Sequence, residues 1–152
     1  MAGGLTAAGA GAVDLLPPHE AFALSARALN AQTLEVRFDV VDGYYLYRDK
    51  IRFAVSAPEA VPAIPELPAG KAKHDEFFGD SQTYRGTVYI PITMGAARAG
   101  RTVTLVSESQ GCADAGVCYP PQRQTLELEM PQPGAPASAW VAAPIGRPAW
   151  LK

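Results

Sequence analysis

Between residues 33 and 41, "TLEVRFDVV" sets Leu34, Val36, Phe38 and Val40 against Glu35, Arg37 and Asp39. Apolar residues at every second position are what a strand with one buried face requires, so the segment predicts β. "DG" at Asp42 and Gly43 supplies turn chemistry, and "YYLYRDKIRFAV" follows with Ile51, Phe53 and Val55 alternating again; together they predict a hairpin. "TVYIPITM" places Val88, Ile90 and Ile92 on one face, "RTVTLVSES" alternates less cleanly around Val103 and Leu105, and "QTLELEM" sets Leu126, Leu128 and Met130 against polar neighbours. Pro91 cannot donate to a ladder, so its strand is expected at an edge or with a bulge. "HEAFALSARAL" suits a helix by its alanines and a strand by Phe22, Leu24 and Ala26; the strand reading is adopted. Short strands separated by turn signals, with no long helical period, predict an all-β chain. An immunoglobulin-like antiparallel β-sandwich is the most economical arrangement.

Two stretches break the pattern. Residues 56–74 contain four prolines and read as a long loop or irregular edge. The stretch from Pro131 contains five more, with many alanines, and reads as a proline-rich linker or tail over 131–152, leaving open whether Trp140 and Trp150 dock on the domain. With residues 1–16 as a flexible N-terminal segment, the folded domain is expected over 17–130.

Fourteen prolines and fourteen glycines favour many short elements over long helices. The net charge is only -2, and Lys and Arg occur as isolated residues, so neither nucleic acid nor an anionic membrane surface is an expected partner. No apolar run is long enough for a spanning helix, and "MAGGLTAAGAGAV" lacks the basic and apolar regions of a signal peptide; the start reads as a mature fragment restarted at Met1.

The two cysteines, Cys112 and Cys118, lie in "SQGCADAGVCYPPQ". A bond between them would close a very short loop, for which the chain-entropy model gives roughly 2 kcal/mol. That is a modest staple for a chain able to bury a core of its own. The residues between them are small apart from Asp114, which keeps the sulfurs approachable. Spacing alone nevertheless leaves an inert bridge and an exchange-competent pair both standing. A zinc site would need four ligands, and His19 and His74 have no partner spacing to the cysteines; neither metal nor other cofactor is expected. Nothing basic lies within the loop to lower a thiol pKa, Asp114 would tend to raise it, and Arg123 is the nearest cation in sequence.

Three segments in order, "DGYYLYRDKIRF" (42–53), "HDEFFGDSQTYRG" (74–86) and "QGCADAGVCYPPQ" (110–122), resemble the N-terminal periplasmic domain of the DsbD thiol:disulfide interchange family. The resemblance spans about residues 17–130. It implies an immunoglobulin-like fold, a periplasmic location as part of an inner-membrane protein, and a Cys112–Cys118 pair that cycles between dithiol and disulfide, making the domain one part of a protein-disulfide reductase. Cys118 would attack a partner disulfide and Cys112 would resolve it. "DEFFG" corresponds to a cap loop, Asp75, Glu76, Phe77, Phe78 and Gly79, in which Phe77 covers the sulfurs while Asp75 and Glu76 stand where they could exchange protons with them. Tyr45 and Tyr47 would border the cysteines, and Tyr44, one residue out of phase, would face the other way. Phe78 stands where some relatives carry Tyr. The implied partners are a C-terminal thioredoxin-like domain of the same protein as electron donor, with periplasmic disulfide isomerases and a cytochrome c maturation thioredoxin as acceptors. Membrane attachment would come only through a transmembrane domain outside this chain. The competing reading is an immunoglobulin-like binding or adhesion module with a purely structural disulfide.

Overall fold

The computed structural model describes residues 15–95 and 98–144. The segment up to residue 14 and the end of the tail with Trp150 lie outside the described residues. Among the described residues, a helical turn, Pro18–Ala21, precedes fourteen strands. They are β1 (Phe22–Ala28), β2 (Thr33–Val40), β3 (Tyr44–Tyr47), β4 (Arg52–Ser56), β5 (Ala60–Val61), β6 (Ala63–Pro65) and β7 (Lys71–Asp75), then β8 (Gly79–Tyr84), β9 (Gly86–Met94), β10 (Thr102–Ser109), β11 (Gly111–Ala113), β12 (Val117–Cys118), β13 (Gln122–Glu129) and β14 (Val141–Ala142). No described helix is long and apolar enough to cross a membrane.

Every pairing is antiparallel. One sheet runs β14-β1-β2-β9-β6 and another β13-β10-β4-β5. The inward residues Leu34, Val36 and Phe38 of β2, Ile90 and Ile92 of β9, Val103 and Leu105 of β10, and Leu126 and Leu128 of β13 form one buried cluster. The alternation read from sequence is therefore the sandwich core, and the chain is an all-β immunoglobulin-like sandwich. A third sheet, β12-β11-β3-β8-β7, lies beside it and carries both cysteines.

The expected hairpin across Asp42–Gly43 does not form. Gly43 takes a positive φ of 90° and the chain turns, but β2 pairs with β1 and β9 whereas β3 pairs with β11 and β8. A 3-10 turn at Arg48–Lys50 then divides the second half of the motif, sending β4 to β10 in the sandwich. The turn chemistry was legible; the sheet change was not, because both sheets bury alternate residues.

Pro91 is on neither an edge strand nor a bulge. The β2–β9 register is unbroken from Thr33↔Thr93 to Val40↔Gly86, and β9 lies between β2 and β6. The Met94 amide donates to the Gln32 carbonyl, so by alternation the Pro91 nitrogen faces the β6 side. There β6 ends at Pro65, and the Pro91 carbonyl accepts from Glu66; the missing donor falls where the ladder stops.

Residues 56–74 supply three short strands, each at a sheet edge: β5, β6 and the start of β7. In "HEAFALSARAL" the strand reading holds from Phe22, with one helical turn before it. Beyond Pro131 the chain runs along β1: β14 pairs with it, and the Ser138 amide donates to the Ala28 carbonyl. Trp140 docks with Arg27 and Arg37 each 4.6 Å from its ring centroid.

Candidate functional site

The site begins with β3, whose four residues are all buried because both of its faces are covered. Tyr44 and Leu46 enter the sandwich core, whereas Tyr45 and Tyr47, on the opposite face, cluster with Cys112 and the partly buried Cys118. This is the phase expected of the three tyrosines.

Next to β3, β11 pairs Cys112 with Tyr45 and Gly111 with Leu46. Only glycine fits at 111, since a Cβ there would collide with the Tyr45 carbonyl oxygen and lie 2.5 Å from Phe22 Cζ. β11 and β12 form a tight hairpin that sets Cys112 directly opposite Cys118, turning at Gly116 with a φ of 96°. The two form a disulfide with Cα atoms 4.0 Å apart. The sulfurs are not equivalent: Cys112 is fully buried, and Cys118 is partly accessible on the edge strand. After the hairpin, Tyr119 stacks near Tyr44 and donates to the Leu16 carbonyl.

The "DEFFG" segment is the tip of the β7–β8 hairpin, closed by the Asp75↔Gly79 pair. It belongs to the opposite edge of the same sheet from the disulfide, and Tyr47 on the central strand connects the two. Tyr47 donates to Asp75 Oδ2 at 2.5 Å, and its Oη lies 3.4 Å from Cys112 Sγ. Asp75 Oδ1 accepts from the Phe77 and Phe78 amides at 2.9 and 2.8 Å. Burial alone would raise the Asp75 carboxyl, but hydrogen bonds from Tyr47 and the two amides, with Lys73 nearby, hold it below the ordinary carboxylate value. Burial, and then the bond to Asp75, push the Tyr47 phenol far above its ordinary range. Phe78 packs on Tyr47 with centroids 4.6 Å apart. Phe77 is 47% exposed and Glu76 is exposed at the tip. The aromatic contact from the hairpin into the site is thus made by Phe78.

Arg123 sits on β13 opposite Glu108, lining a groove with Arg52 and Phe53. The cations around the site come instead from distant positions. Lys50 lies 4.8 Å from the centroid of Phe78, Lys73 4.8 Å and Arg85 5.1 Å from that of Tyr45. Arg85 also grips Asp114 with two nitrogens at 2.7 and 2.9 Å, and this hydrogen bonding holds the Asp114 carboxyl below its usual value. The charge expected to act on the sulfurs is therefore already paired. Arg85 lies in the "HDEFFGDSQTYRG" segment and Lys73 just before it, but nothing in their spacing tells which ring or carboxylate they face.

A buried and a partly accessible cysteine, bonded across a short edge hairpin, can undergo exchange at the accessible one. A family model described as "Thiol:disulfide interchange protein DsbD, N-terminal" matches residues 12–130. The chain is 41% identical over 133 residues to a thiol:disulfide interchange protein DsbD of Ralstonia nicotianae, covering 87% of this chain and 21% of the relative. It is 42% identical over 127 residues to DsbD 2 of Pseudomonas aeruginosa, covering 84% and 20%. The chain thus spans about a fifth of the length of these relatives. Among solved structures, the reduced DsbD N-terminal domain of Neisseria meningitidis superposes with a TM-score of 0.72 at 31% identity, covering 86% of this chain and 97% of that one. A second match, the complex between the DsbD and PilB N-terminal domains of the same organism, has a TM-score of 0.63 at 36% identity, covering 75% and 87%.

Proposed function

The chain belongs to the family of DsbD N-terminal domains, and from that premise we propose that it relays electrons in the periplasm, from a thioredoxin-like domain of the same protein to disulfides of partner proteins. Thiol:disulfide interchange is the activity of the family by its name; the direction and the partners are the proposal. The observation that carries it is the asymmetry of the pair, Cys112 fully buried and Cys118 partly accessible at the sheet edge.

In the reduced domain the Cys118 thiolate attacks one sulfur of a partner disulfide. A Cys118–partner bond forms and the partner's other sulfur leaves as thiolate. Cys112, once deprotonated, attacks the Cys118 sulfur, forms the intramolecular disulfide and expels the second partner thiolate. Two electrons pass to the partner. The dithiol of the thioredoxin-like domain reverses the sequence and restores the pair. Disulfide isomerases and a cytochrome c maturation thioredoxin are the acceptors this reading assigns, and the complex of the Neisseria relative with a PilB N-terminal domain supports docking of a protein partner. Tyr47 has its proton committed to Asp75, so its oxygen is free to accept from a Cys112 thiol. That arrangement keeps the resolving sulfur protonated until the mixed disulfide forms. The cap hairpin, through Phe78 on Tyr47 and Phe77 at its exposed tip, screens the pair from small thiols and moves aside for a docked partner.

Trapping tests the scheme. With an oxidised partner, reduced Cys112→Ala should accumulate a mixed disulfide through Cys118, and Cys118→Ala should accumulate none, both variants melting as folded domains. Trapping by Cys118→Ala alone would reverse the assignment. A wild-type potential below about -300 mV would instead mark a structural bridge.

A further inference from the structure

We propose that Arg85 is a positioning residue for the exchange reaction: its fork on Asp114 clamps the cysteine hairpin in place when the disulfide is open. The inference rests on the pair being redox-active.

Arg85 stands between the last residue of β8 and the first of β9, where the chain passes from the site sheet into the sandwich. Its backbone is fixed by both sheets, with Gly86 beside it at a φ of 70°. From there the guanidinium makes three contacts. Two nitrogens hold both carboxylate oxygens of Asp114, one also reaches the Tyr44 carbonyl at 3.3 Å, and the group lies over the Tyr45 ring. Asp114 is the first residue after β11, at the turn between the cysteines, and its amide donates to the Gly43 carbonyl at 2.8 Å. One residue thus anchors the hairpin tip by backbone and by side chain.

The clamp matters because, whereas β11 is held on β3, the β12 arm is tied by its short pairing with β11, by the Tyr119 contacts and by the disulfide. β12 is two residues long and, among the described residues, pairs only with β11, as the edge of its sheet. In the oxidised domain the disulfide holds the two strands together, and in the dithiol that covalent tie is gone. Unless something else fixes the tip, Cys118 drifts from Cys112, and re-forming the bond must then restrict those residues afresh. A planar, two-point contact between guanidinium and carboxylate is the sort of bond that holds an orientation as well as a distance. Both partners are about half exposed, with side-chain accessibilities of 44% and 48%, so the effect is moderate.

The clamp raises the effective concentration of one thiol at the other. It favours the disulfide over the dithiol, making the domain a stronger reductant, and it speeds attack of Cys112 on a Cys118 mixed disulfide. Loss of the clamp therefore has a sign. In equilibrium with a glutathione buffer, dithiol plus oxidised glutathione gives disulfide plus two reduced glutathiones. Arg85→Ala should lower that constant about fivefold, in line with a partly exposed but bidentate pair, or about 20 mV towards a more oxidising domain.

A purely electrostatic role gives a different result. Removing a cation and removing an anion beside the sulfurs would move the thiolates in opposite senses, and the double variant would cancel. The clamp predicts the same direction for Arg85→Ala and Asp114→Asn, and a double variant no worse than either single one.

The experiment measures the glutathione equilibrium and the decay rate of a trapped mixed disulfide for the wild type, both single variants, the double variant and Arg85→Lys. Melting of each oxidised protein checks the fold. Shifts of like sign that do not add, slower resolution, and partial recovery in Arg85→Lys would bear the clamp out. Opposite shifts, or unchanged equilibrium and decay in folded variants, would overturn it. A wild-type pair that never equilibrates with glutathione or a thioredoxin-like reductant would defeat the relay reading itself, an outcome visible before any variant is made.

Discussion

Gly111→Ala tests whether the cysteine hairpin is seated by packing against β3. The added methyl would overlap the Tyr45 carbonyl oxygen and lie 2.5 and 2.7 Å from Phe22 Cζ and Cε1, about 1 Å inside an ordinary contact. Neither neighbour can yield cheaply. The oxygen is β3 backbone, and Phe22 is 1% exposed and packed edge-on against Tyr44 and Tyr119 at 6.0 and 5.7 Å. Either the ring is forced from its place, at the usual overpacking cost of about 1–3 kcal/mol, or β11 separates from β3 and its pairing weakens by about 1 kcal/mol more. The expected loss is about 3 kcal/mol, which for a domain of this size lowers the melting temperature by roughly 10 °C. Because Cys112 follows Gly111 on the same short strand, the reduced protein should also lose its ordered hairpin, seen as faster amide exchange at Asp114 and Tyr119, whose donors bind Gly43 and Gly111. Melting of oxidised and reduced protein, with exchange measured on each, reads both effects. A melting temperature within about 2 °C of wild type would refute the reasoning, since two near-immovable neighbours would then have absorbed the methyl.

Phe77→Ala should speed reduction of the disulfide by small thiols severalfold in a stopped-flow assay, and an unchanged rate would remove the screening role from that ring and leave Phe78, the residue that packs on Tyr47, as the cover. Asp75 predicts an acid limit. Its carboxyl is held below the ordinary value in the folded domain by the bonds from Tyr47 and the cap amides, so its contribution is present above the unfolded pKa and is lost as pH falls through the folded one. Asp75→Asn should accordingly melt below wild type at pH 7, with the gap closing between about pH 5 and pH 2; a gap that stays constant over that range would show that the ionised carboxylate contributes nothing to the cap.

What the sequence could show depended on whether a contact followed from local repetition. The core positions of β2, β9, β10 and β13 repeat every second residue, and burial on one face makes that repetition obligatory, so the sandwich was legible. The same rule hid the third sheet. In "YYLY" both faces are covered, and alternation cannot say which neighbour covers which, so the turn at Gly43 predicts a hairpin where it in fact passes the chain from one sheet to another. The grouping of Tyr45 and Tyr47 with the cysteines, and of the "DEFFG" hairpin with Tyr47, followed from motif resemblance and not from alternation. The charges were not legible, and the reason is geometric. Arg85 faces Asp114 because β8 and β11 flank the same central strand, a juxtaposition of residues far apart in the chain that exists only once β3 is in place. Arg123 is the cation nearest the cysteines in sequence, yet β13 carries it into the sandwich sheet opposite Glu108. In an antiparallel fold with three sheets, the residues that tune a site come from the strands beside it in the sheet order, and sheet order is the property that alternation leaves undetermined.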